Sequence, residues 1–275
     1  MAHKLIASYL NIGTVEFPMD ILLRNGAIVR VSGPGEAKVF WQIFIHQCYR
    51  LWADCKTIVD AGANIGIFSV WAALQLPESR ILALEPFPET FRRLQHNVRS
   101  NRLEPRVEVQ PLALGARSEE RTMPAAGESQ RRGLMHADQQ DKNETAVKVI
   151  SITLADLLDR YHLSKIDLLK MDIEGSEWEV LLSTPAYIFR AIQRIQFEYH
   201  EVHARFGYSK RGLFEHLRSA GYNLTYCRED EQHTGIAIVE QASTPAFSKP
   251  LKIPHFSKVR GFPQEIRPTA GNIQS

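Results

Sequence analysis

From Thr57 onward, short apolar runs alternate with segments in which apolar residues recur every three or four positions. The runs predict strands and the recurring segments predict helices. Apolar strands that alternate with helices are typical of a mostly parallel sheet covered on both faces. The predicted strands are 57–62, 80–86, 107–114, 147–151, 166–173, 194–200, 222–227 and 235–240, and the predicted helices are 65–76, 88–100, 153–161, 176–183 and 209–220.

The two ends of the chain have a different pattern. Residues 15–31 predict two short strands joined at Arg24-Asn25-Gly26, a hairpin turn signal, and residues 36–53 show helical spacing. After Thr244 the chain holds five of its 14 prolines and no periodic pattern. We therefore expect an N-terminal cap of hairpin plus helix (1–54), an α/β domain (55–240) and a basic, proline-rich tail that is extended or disordered (241–275).

Composition excludes several classes of protein. The 275 residues are 44% hydrophobic and 23% charged, which is ordinary for a globular protein. A net charge of +2 gives no electrostatic footprint for nucleic acid. No apolar run reaches the length of a membrane span, and the N-terminus lacks a secretory signal. The three cysteines form no CxxC pair, so we expect reduced thiols in a cytoplasmic protein.

The sharpest local motif follows the first apolar strand, at Asp60-Ala61-Gly62-Ala63-Asn64-Ile65-Gly66. Gly62 and Gly66 allow a sharp turn and a close approach of a ligand to the backbone. The next helix directs its free N–H groups at the same place. Asp60 is positioned to orient a ligand ammonium, and the amides of Gly62, Ala63 and Asn64 to face the rest of the ligand. A strand-to-helix turn built in this way indicates a cofactor site.

Glu85 indicates which cofactor this site takes. It ends the second strand, where a carboxylate accepts the two hydroxyl hydrogens of a ribose in doubly wound nucleotide-binding folds. The glycine spacing is not the G-x-G-x-x-G of a dinucleotide site. A nucleoside that carries an amino-acid group needs only one close approach, so the pattern favours S-adenosylmethionine over NAD.

Through these motifs the sequence resembles the FkbM-type family of class I S-adenosylmethionine-dependent methyltransferases. The resemblance covers about residues 55–240, and its motifs are D-x-G-A-N-x-G and K-x-D-x-E-G-x-E. The segments that carry it are VDAGANIGIFSVWAA (59–73), ALEPFPETFRRLQHNV (83–98), LALG (112–115), SITLADLL (151–158), IDLLKMDIEGSEWEVL (166–181) and IQFEYH (195–200).

The resemblance implies a doubly wound, seven-stranded, Rossmann-like sheet with one antiparallel strand, and the cofactor at the carboxyl ends of the strands. It implies that Asp60, Gly62, Asn64 and Gly66 line the methionine part and that Glu85 holds the ribose. Pro86 and Phe87 are expected to flank the ribose, and Ala113 and Leu114 to contact the adenine. It also implies methyl transfer to a hydroxyl oxygen of a small molecule or a glycan.

Candidate catalytic residues lie at the ends of the predicted strands 166–173 and 194–200. Asp172 and Glu174 alternate with apolar neighbours, and His200 has the pKa range of a base near neutral pH. We expect them to bind the acceptor and take its proton, because transfer to a hydroxyl needs collinear alignment and deprotonation. A divalent cation is an alternative, with Asp172, Glu198 and His200 as its ligands. Three ligands spread over two strands are a weak pattern for a metal site, so we predict none.

Three other functions stay open at this stage. N-methylation needs no strong base and uses the same acids to bind an amine. A catalytically inactive cofactor-binding module is disfavoured by the intact acidic set at 172–177. An NAD-dependent oxidoreductase is disfavoured by the glycine spacing.

Overall fold

The computed structural model describes residues 15–124, 146–200, 209–229, 234–242 and 249–251. The strands are β1 (Met19–Leu22), β2 (Ile28–Val31), β3 (Thr57–Ala61), β4 (Arg80–Leu84), β5 (Val107–Gln110), β6 (Leu112–Leu114), β7 (Glu119–Pro124), β8 (Ala146–Ile152), β9 (Leu168–Met171), β10 (Arg194–His200), β11 (Tyr222–Glu229) and β12 (Thr234–Gln241). The helices are α1 (Pro34–Phe40), which continues as a π-helical turn (Trp41–Ile45), α2 (Ile67–Gln75), α3 (Pro88–Ser100), α4 (Leu154–Arg160), α5 (Glu177–Ser183), α6 (Ala186–Phe189) and α7 (Lys210–Ser219).

Seven of these strands form the central sheet, in the order β11-β12-β10-β9-β3-β4-β5. β12 is antiparallel to both of its neighbours, whereas the pairs from β10 to β5 are parallel. The α/β, doubly wound, mostly parallel sheet expected from the sequence is thus confirmed. The chain runs outward from β3 through β4 to β5, and then returns to place β9 on the other side of β3. Ligands bind in such sheets where the strand order reverses, at the carboxyl ends of the strands.

The apolar run 107–114 is two strands rather than the predicted one. Pro111 interrupts it, because proline has no N–H to donate to a sheet ladder. β5 stays at the edge of the central sheet, while β6 joins a three-stranded sheet in the order β6-β8-β7. The middle of the polar stretch expected at 115–146 lies outside the described residues.

The hairpin of the N-terminal cap forms around Arg24-Asn25-Gly26 as predicted, since β1 and β2 pair antiparallel. The helix after it is shorter than predicted: it ends at Ile45 rather than near residue 53, and Gln47 has a left-handed backbone with a φ of 50°. The chain then crosses to β10, where Arg50 exchanges two hydrogen bonds with the side chain of Gln196, at 3.0 and 3.1 Å.

Cap and sheet share one apolar core. The cap residues Val29 and Phe40 belong to the same cluster of buried side chains as Trp71 of α2. A second cluster covers the opposite face of the sheet, beneath α4, α5 and α7. The boundaries expected at 54–55 and 240–241 stay a prediction.

Part of the expected tail also contacts the cap. The Leu251 N–H donates to the Leu51 carbonyl at 2.7 Å, and Pro250 forms a β-bridge with Trp52. The tail after residue 251 lies outside the described residues. Across the described ranges, no helix combines the length and the apolar composition needed to cross a membrane.

Candidate cofactor and acceptor site

The turn after β3 lies at the point where the strand order reverses. Three of its residues have positive φ angles: Gly62 at 72°, Asn64 at 51° and Gly66 at 87°. Glycine and asparagine adopt this left-handed conformation more readily than other residues. The Ala63 N–H donates to the Leu84 carbonyl at 2.8 Å, which holds the turn against the end of β4. The sequence therefore forms the tight strand-to-helix turn that it predicts.

Glu85 follows β4 and holds the turn from the side. Its side chain is buried, with 5% exposed. One carboxylate oxygen accepts the Asn64 N–H and the other accepts the Phe87 N–H, both at 3.0 Å. Carboxylate oxygens only accept hydrogen bonds, and a ribose diol supplies two O–H donors. This pair of acceptors therefore fits a ribose diol, and hence the nucleoside part of S-adenosylmethionine.

Packing is a second reason for glycine at positions 62 and 66, beside the sharp turn expected from the sequence. A Cβ at Gly62 would lie 1.9 Å from the Asp172 carbonyl oxygen, and one at Gly66 would lie 2.6 Å from Leu94 Cδ1. The protein itself fills the space that a side chain would take, so packing explains both glycines without a ligand. The proposed contacts of these residues with the cofactor stay a prediction.

Asp60 faces the protein interior. It is fully buried, accepts a hydrogen bond from Ser69 Oγ at 2.6 Å and pairs with Lys170 Nζ at 3.0 Å. Lys170 also donates to the Gly62 carbonyl at 2.9 Å. Burial lowers the pKa of Lys170, but the Asp60 and Asp172 carboxylates outweigh it and hold this pKa above its usual value. Asp60 therefore anchors a buried ammonium of the protein itself, beneath the turn where a ligand ammonium was expected.

The turn after β9 forms the candidate acceptor side. Asp172 Oδ2 accepts a hydrogen bond from Tyr49 Oη at 3.0 Å and lies 3.9 Å from Lys170 Nζ. Glu174 has a φ of 53°, and Glu177 closes the turn by accepting the N–H groups of Ile173 and Gly175 at 2.6 and 2.8 Å.

Burial raises the pKa of the Glu174 carboxyl to about 9, and the nearby charges of Asp172 and Glu177 add to this effect. Burial thus favours the protonated form of Glu174. Burial, and then the charges of Asp172 and Glu174, also raise the pKa of Glu198 on β10 well above its usual value. The ends of β9 and β10 thus bring together carboxyl groups that cannot all ionise easily.

His200 is the last residue of β10. Phe197 pairs with Met171 in the parallel register of β10 and β9, so Glu198 and Asp172 follow side by side. The backbone of His200 comes two residues after Glu198, roughly 7 Å further along the strand. Its side chain lies outside the described residues, and its proximity to Asp172 stays a prediction.

The structure places the four residues expected to flank the ribose (Pro86 and Phe87) or to contact the adenine (Ala113 and Leu114) in different surroundings. Ala113 packs with Met123 and Val149 in a small apolar cluster, and Phe87 lies against the same cluster. Leu114 belongs instead to the large core on one face of the central sheet. Pro86 is half-buried beside Glu85. The structure therefore brings Phe87 and Ala113 together and places Leu114 behind them in the core.

Sequence reasoning missed Tyr49. The residue lies within the segment 36–53 that helical spacing assigned to a helix, and no local signal marks its contact with Asp172, 123 positions away. Its neighbour Cys48 also borders the site: burial and then the charges of Glu198 and Asp172 raise the pKa of its thiol to about 12. Among the described side chains, no group of three or more His, Cys, Asp or Glu residues is arranged to hold a metal ion.

The region that contains the candidate site matches a known protein family. Residues 60–224, more than half of the chain, match the family described as the Methyltransferase FkbM domain. Methyltransferase sdnD of Sordaria araneosa is 33% identical over 175 residues, which cover 52% of this chain and 66% of that protein. Methyltransferase 1 of Beauveria bassiana (strain ARSEF 2860) is 30% identical over 159 residues, or 51% of this chain and 64% of that protein. The match thus spans less than two thirds of the length of either relative.

A third relative matches over more of its length. The 31-O-demethyl-FK506 methyltransferase FkbM of Streptomyces tacrolimicus is 27% identical over 252 residues, which cover 80% of this chain and 95% of that protein. Among solved structures, a methyltransferase FkbM from Methylobacillus flagellatus KT matches 72% of this chain and 47% of its own, at 15% identity and a TM-score of 0.47.

Proposed function

Since the chain belongs to the FkbM family of S-adenosylmethionine-dependent methyltransferases, we propose that it methylates a hydroxyl oxygen of a small molecule or a glycan. One observation carries this proposal. The turn 62–66, the carboxylate of Glu85 and the carboxylate of Asp172 meet at the carboxyl ends of three adjacent strands, where the strand order reverses. A cofactor subsite and a polar acceptor subsite are thereby neighbours.

The residues of the cofactor subsite have separate tasks in this proposal. Glu85 accepts the two ribose hydroxyls while it holds the turn through Asn64. Pro86 and Phe87 flank the ribose, and Ala113 and Leu114 border the adenine. The methionine part is lined by Asp60, Gly62, Ala63, Asn64 and Gly66, with Asp60 acting through Lys170.

When bound, S-adenosylmethionine supplies an electrophilic methyl group on a positively charged sulfur. The protein then has to orient the acceptor oxygen and remove its proton. We assign the proton to Asp172 or His200. Burial favours the protonated form of Glu174, so we assign it a hydrogen bond to the acceptor rather than the role of first base.

Oxygen is favoured as the acceptor atom by a relative. The printed name of the Streptomyces tacrolimicus protein, which this chain covers over 95% of its length, specifies a 31-O-demethyl substrate. That name concerns a methyl group on oxygen in a small molecule. At 27% identity it supports the kind of acceptor atom and not the particular compound.

N-methylation is the second candidate, and the carboxyl groups of the acceptor side favour it. Asp172, Glu174 and Glu198 form an environment in which a cationic amine relieves mutual repulsion, as the raised pKa values of the two glutamates indicate. An amine acceptor needs these groups for binding, and it gives up its ammonium proton to one of their carboxylates before its lone pair attacks the methyl group, which requires no strong base. A cofactor-binding module without activity is the third reading.

Two experiments test the proposal. First, the protein is incubated with radiolabelled S-adenosylmethionine and, separately, with NADH, and retention is measured by filtration; we expect retention of the first alone. Second, matched pairs of hydroxyl and amine compounds are offered with methyl-labelled cofactor. Label on the hydroxyl member supports O-methylation, label on the amine member alone favours N-methylation, and retention without any transfer favours an inactive module.

A further inference from the structure

The N-terminal cap contributes one polar side chain to the acceptor side. Tyr49 is buried, with 4% exposed, and its hydroxyl donates to Asp172 Oδ2 at 3.0 Å. Its ring packs edge-on against Phe68, with the centroids 5.4 Å apart. The adjoining Arg50 exchanges backbone hydrogen bonds with the Gln196 side chain on β10. The hydroxyl is therefore held in place by contacts on both sides.

Lys170 competes for the same carboxylate. Its ammonium lies 3.9 Å from Asp172 Oδ2, beyond the range of about 2.7–3.2 Å for an N–H···O hydrogen bond. The ammonium is buried and already pairs with Asp60 at 3.0 Å and with the Gly62 carbonyl at 2.9 Å. A small rotation of the Asp172 side chain would bring Oδ2 within hydrogen-bond distance of the Lys170 ammonium. The Tyr49 hydroxyl donates to this same oxygen and so opposes the rotation.

We propose that Tyr49 is a positioning residue, whose hydroxyl holds the Asp172 carboxylate towards the acceptor and away from Lys170. The N-terminal cap is then a part of the active site and not only a cover for the core. This inference rests on the proposed function, because Asp172 is the group that handles the acceptor in that proposal. Burial and the neighbouring charges of Asp172 and Glu198 raise the pKa of Tyr49 well above its usual value, so the hydroxyl remains a donor.

Tyr49→Phe tests the proposal, because it keeps the ring and removes the hydroxyl. The readout is the ratio of two affinities measured by calorimetry. Sinefungin carries an amine near the position of the cofactor sulfur, whereas S-adenosylhomocysteine is neutral there. A correctly held Asp172 favours the cation, so we expect Tyr49→Phe to lower the preference for sinefungin by about 2- to 150-fold, the range of coupling between residues in contact, and to leave S-adenosylhomocysteine affinity nearly unchanged.

Tyr222→Phe is the matched control. The Tyr222 hydroxyl also donates inside the protein, to the carbonyls of Phe189 and Ile192 at 3.0 and 2.5 Å, but it lies outside the proposed site. We expect this variant to lose stability and to keep the wild-type preference. A preference lost equally in both variants would overturn the inference, since it would reflect general loosening.

Asp172→Ala completes the experiment as a double-mutant cycle. Once Asp172 is absent, Tyr49→Phe has no carboxylate to release, so its effect on the preference should vanish. In the ligand-free protein the two substitutions should also be non-additive in the free energy of unfolding. The role of Tyr49 is overturned if Tyr49→Phe leaves the preference for sinefungin unchanged, or if it changes the preference equally with and without Asp172. Either result leaves the proposed function standing. A wild-type protein that binds neither ligand refutes the proposed function, and the role of Tyr49 with it.

Discussion

Substitution of Gly62 by alanine is expected to separate packing from ligand contact at the cofactor turn. The added Cβ would lie 1.9 Å from the Asp172 carbonyl oxygen and 3.2 Å from a side-chain carbon of Ile173. Ordinary van der Waals contact begins near 3.4 Å, so the end of β9 or the turn has to move by more than an ångström. The φ of 72° adds the strain of a left-handed backbone.

The magnitude follows from these two contributions. A left-handed backbone costs a residue other than glycine about 1–2 kcal/mol. Overpacking of a tight interior costs about 1–3 kcal/mol more. We therefore expect Gly62→Ala to lower the free energy of unfolding by about 2–5 kcal/mol.

Gly221 provides the control for the backbone strain. Its φ is 93°, and a Cβ there would meet no atom within 4 Å. Gly221→Ala should therefore lose only the free energy of the backbone strain. The difference in unfolding free energy between the two variants, measured in urea against the wild type, then gives the cost of the clash at Gly62. S-adenosylhomocysteine affinity should fall in Gly62→Ala, because the turn and the end of β9 move together. The reasoning is refuted by a Gly62→Ala protein that is no less stable than Gly221→Ala.

Three further predictions concern the surroundings of the site. The pKa of Glu174 is raised to about 9 from a usual 4.5. Its contribution to the free energy of unfolding is therefore fully present below pH 4.5 and is lost as the pH rises towards 9. Glu174→Gln should reduce the fall in unfolding free energy over this window by up to about 1.4 kcal/mol per pH unit, and Glu215→Gln on an exposed helix face should not; an unaltered pH dependence in both would argue against a buried carboxyl. Asn97→Leu should lower the free energy of unfolding in urea by about 1–3 kcal/mol, because the buried Asn97 amide donates to the Ile65 carbonyl at 2.8 Å and anchors the cofactor turn; a loss well under 1 kcal/mol would contradict this. Removal of residues 249–275 should lower Tm by only about 2–4 °C, since the Leu251 N–H makes one backbone hydrogen bond to the cap, and a fall of many degrees would mean that the tail packs more extensively.

The cofactor turn was predictable because its signals are local. The glycines, the apolar run before them and the carboxylate of Glu85 at the end of the next strand all depend on short stretches of sequence. Parallel strands then bring these residues together without further information. Glu177 lies in the first turn of α5 and accepts two backbone N–H groups of the turn before it.

The acceptor side was less predictable because its contacts are distant in sequence. Helical spacing continues from residue 36 to 53, yet the helix ends at Ile45 and frees Tyr49 to reach Asp172. Periodicity reports which face of a helix is apolar and does not report where tertiary contacts end the helix. Pro111 is a different case: its missing N–H was visible in the sequence and marks the place where one expected strand becomes two.

The central claim is that Glu85 binds the ribose of S-adenosylmethionine, and its carboxylate also holds the turn through Asn64 and Phe87. Calorimetry with S-adenosylhomocysteine and its 2′-deoxy analogue separates these two tasks, with Glu89→Ala on the exposed start of α3 as the control. We predict that Glu85→Ala weakens S-adenosylhomocysteine binding roughly 10- to 150-fold and weakens binding of the 2′-deoxy analogue clearly less. Unchanged S-adenosylhomocysteine affinity, or equal losses for both ligands, would contradict the assignment.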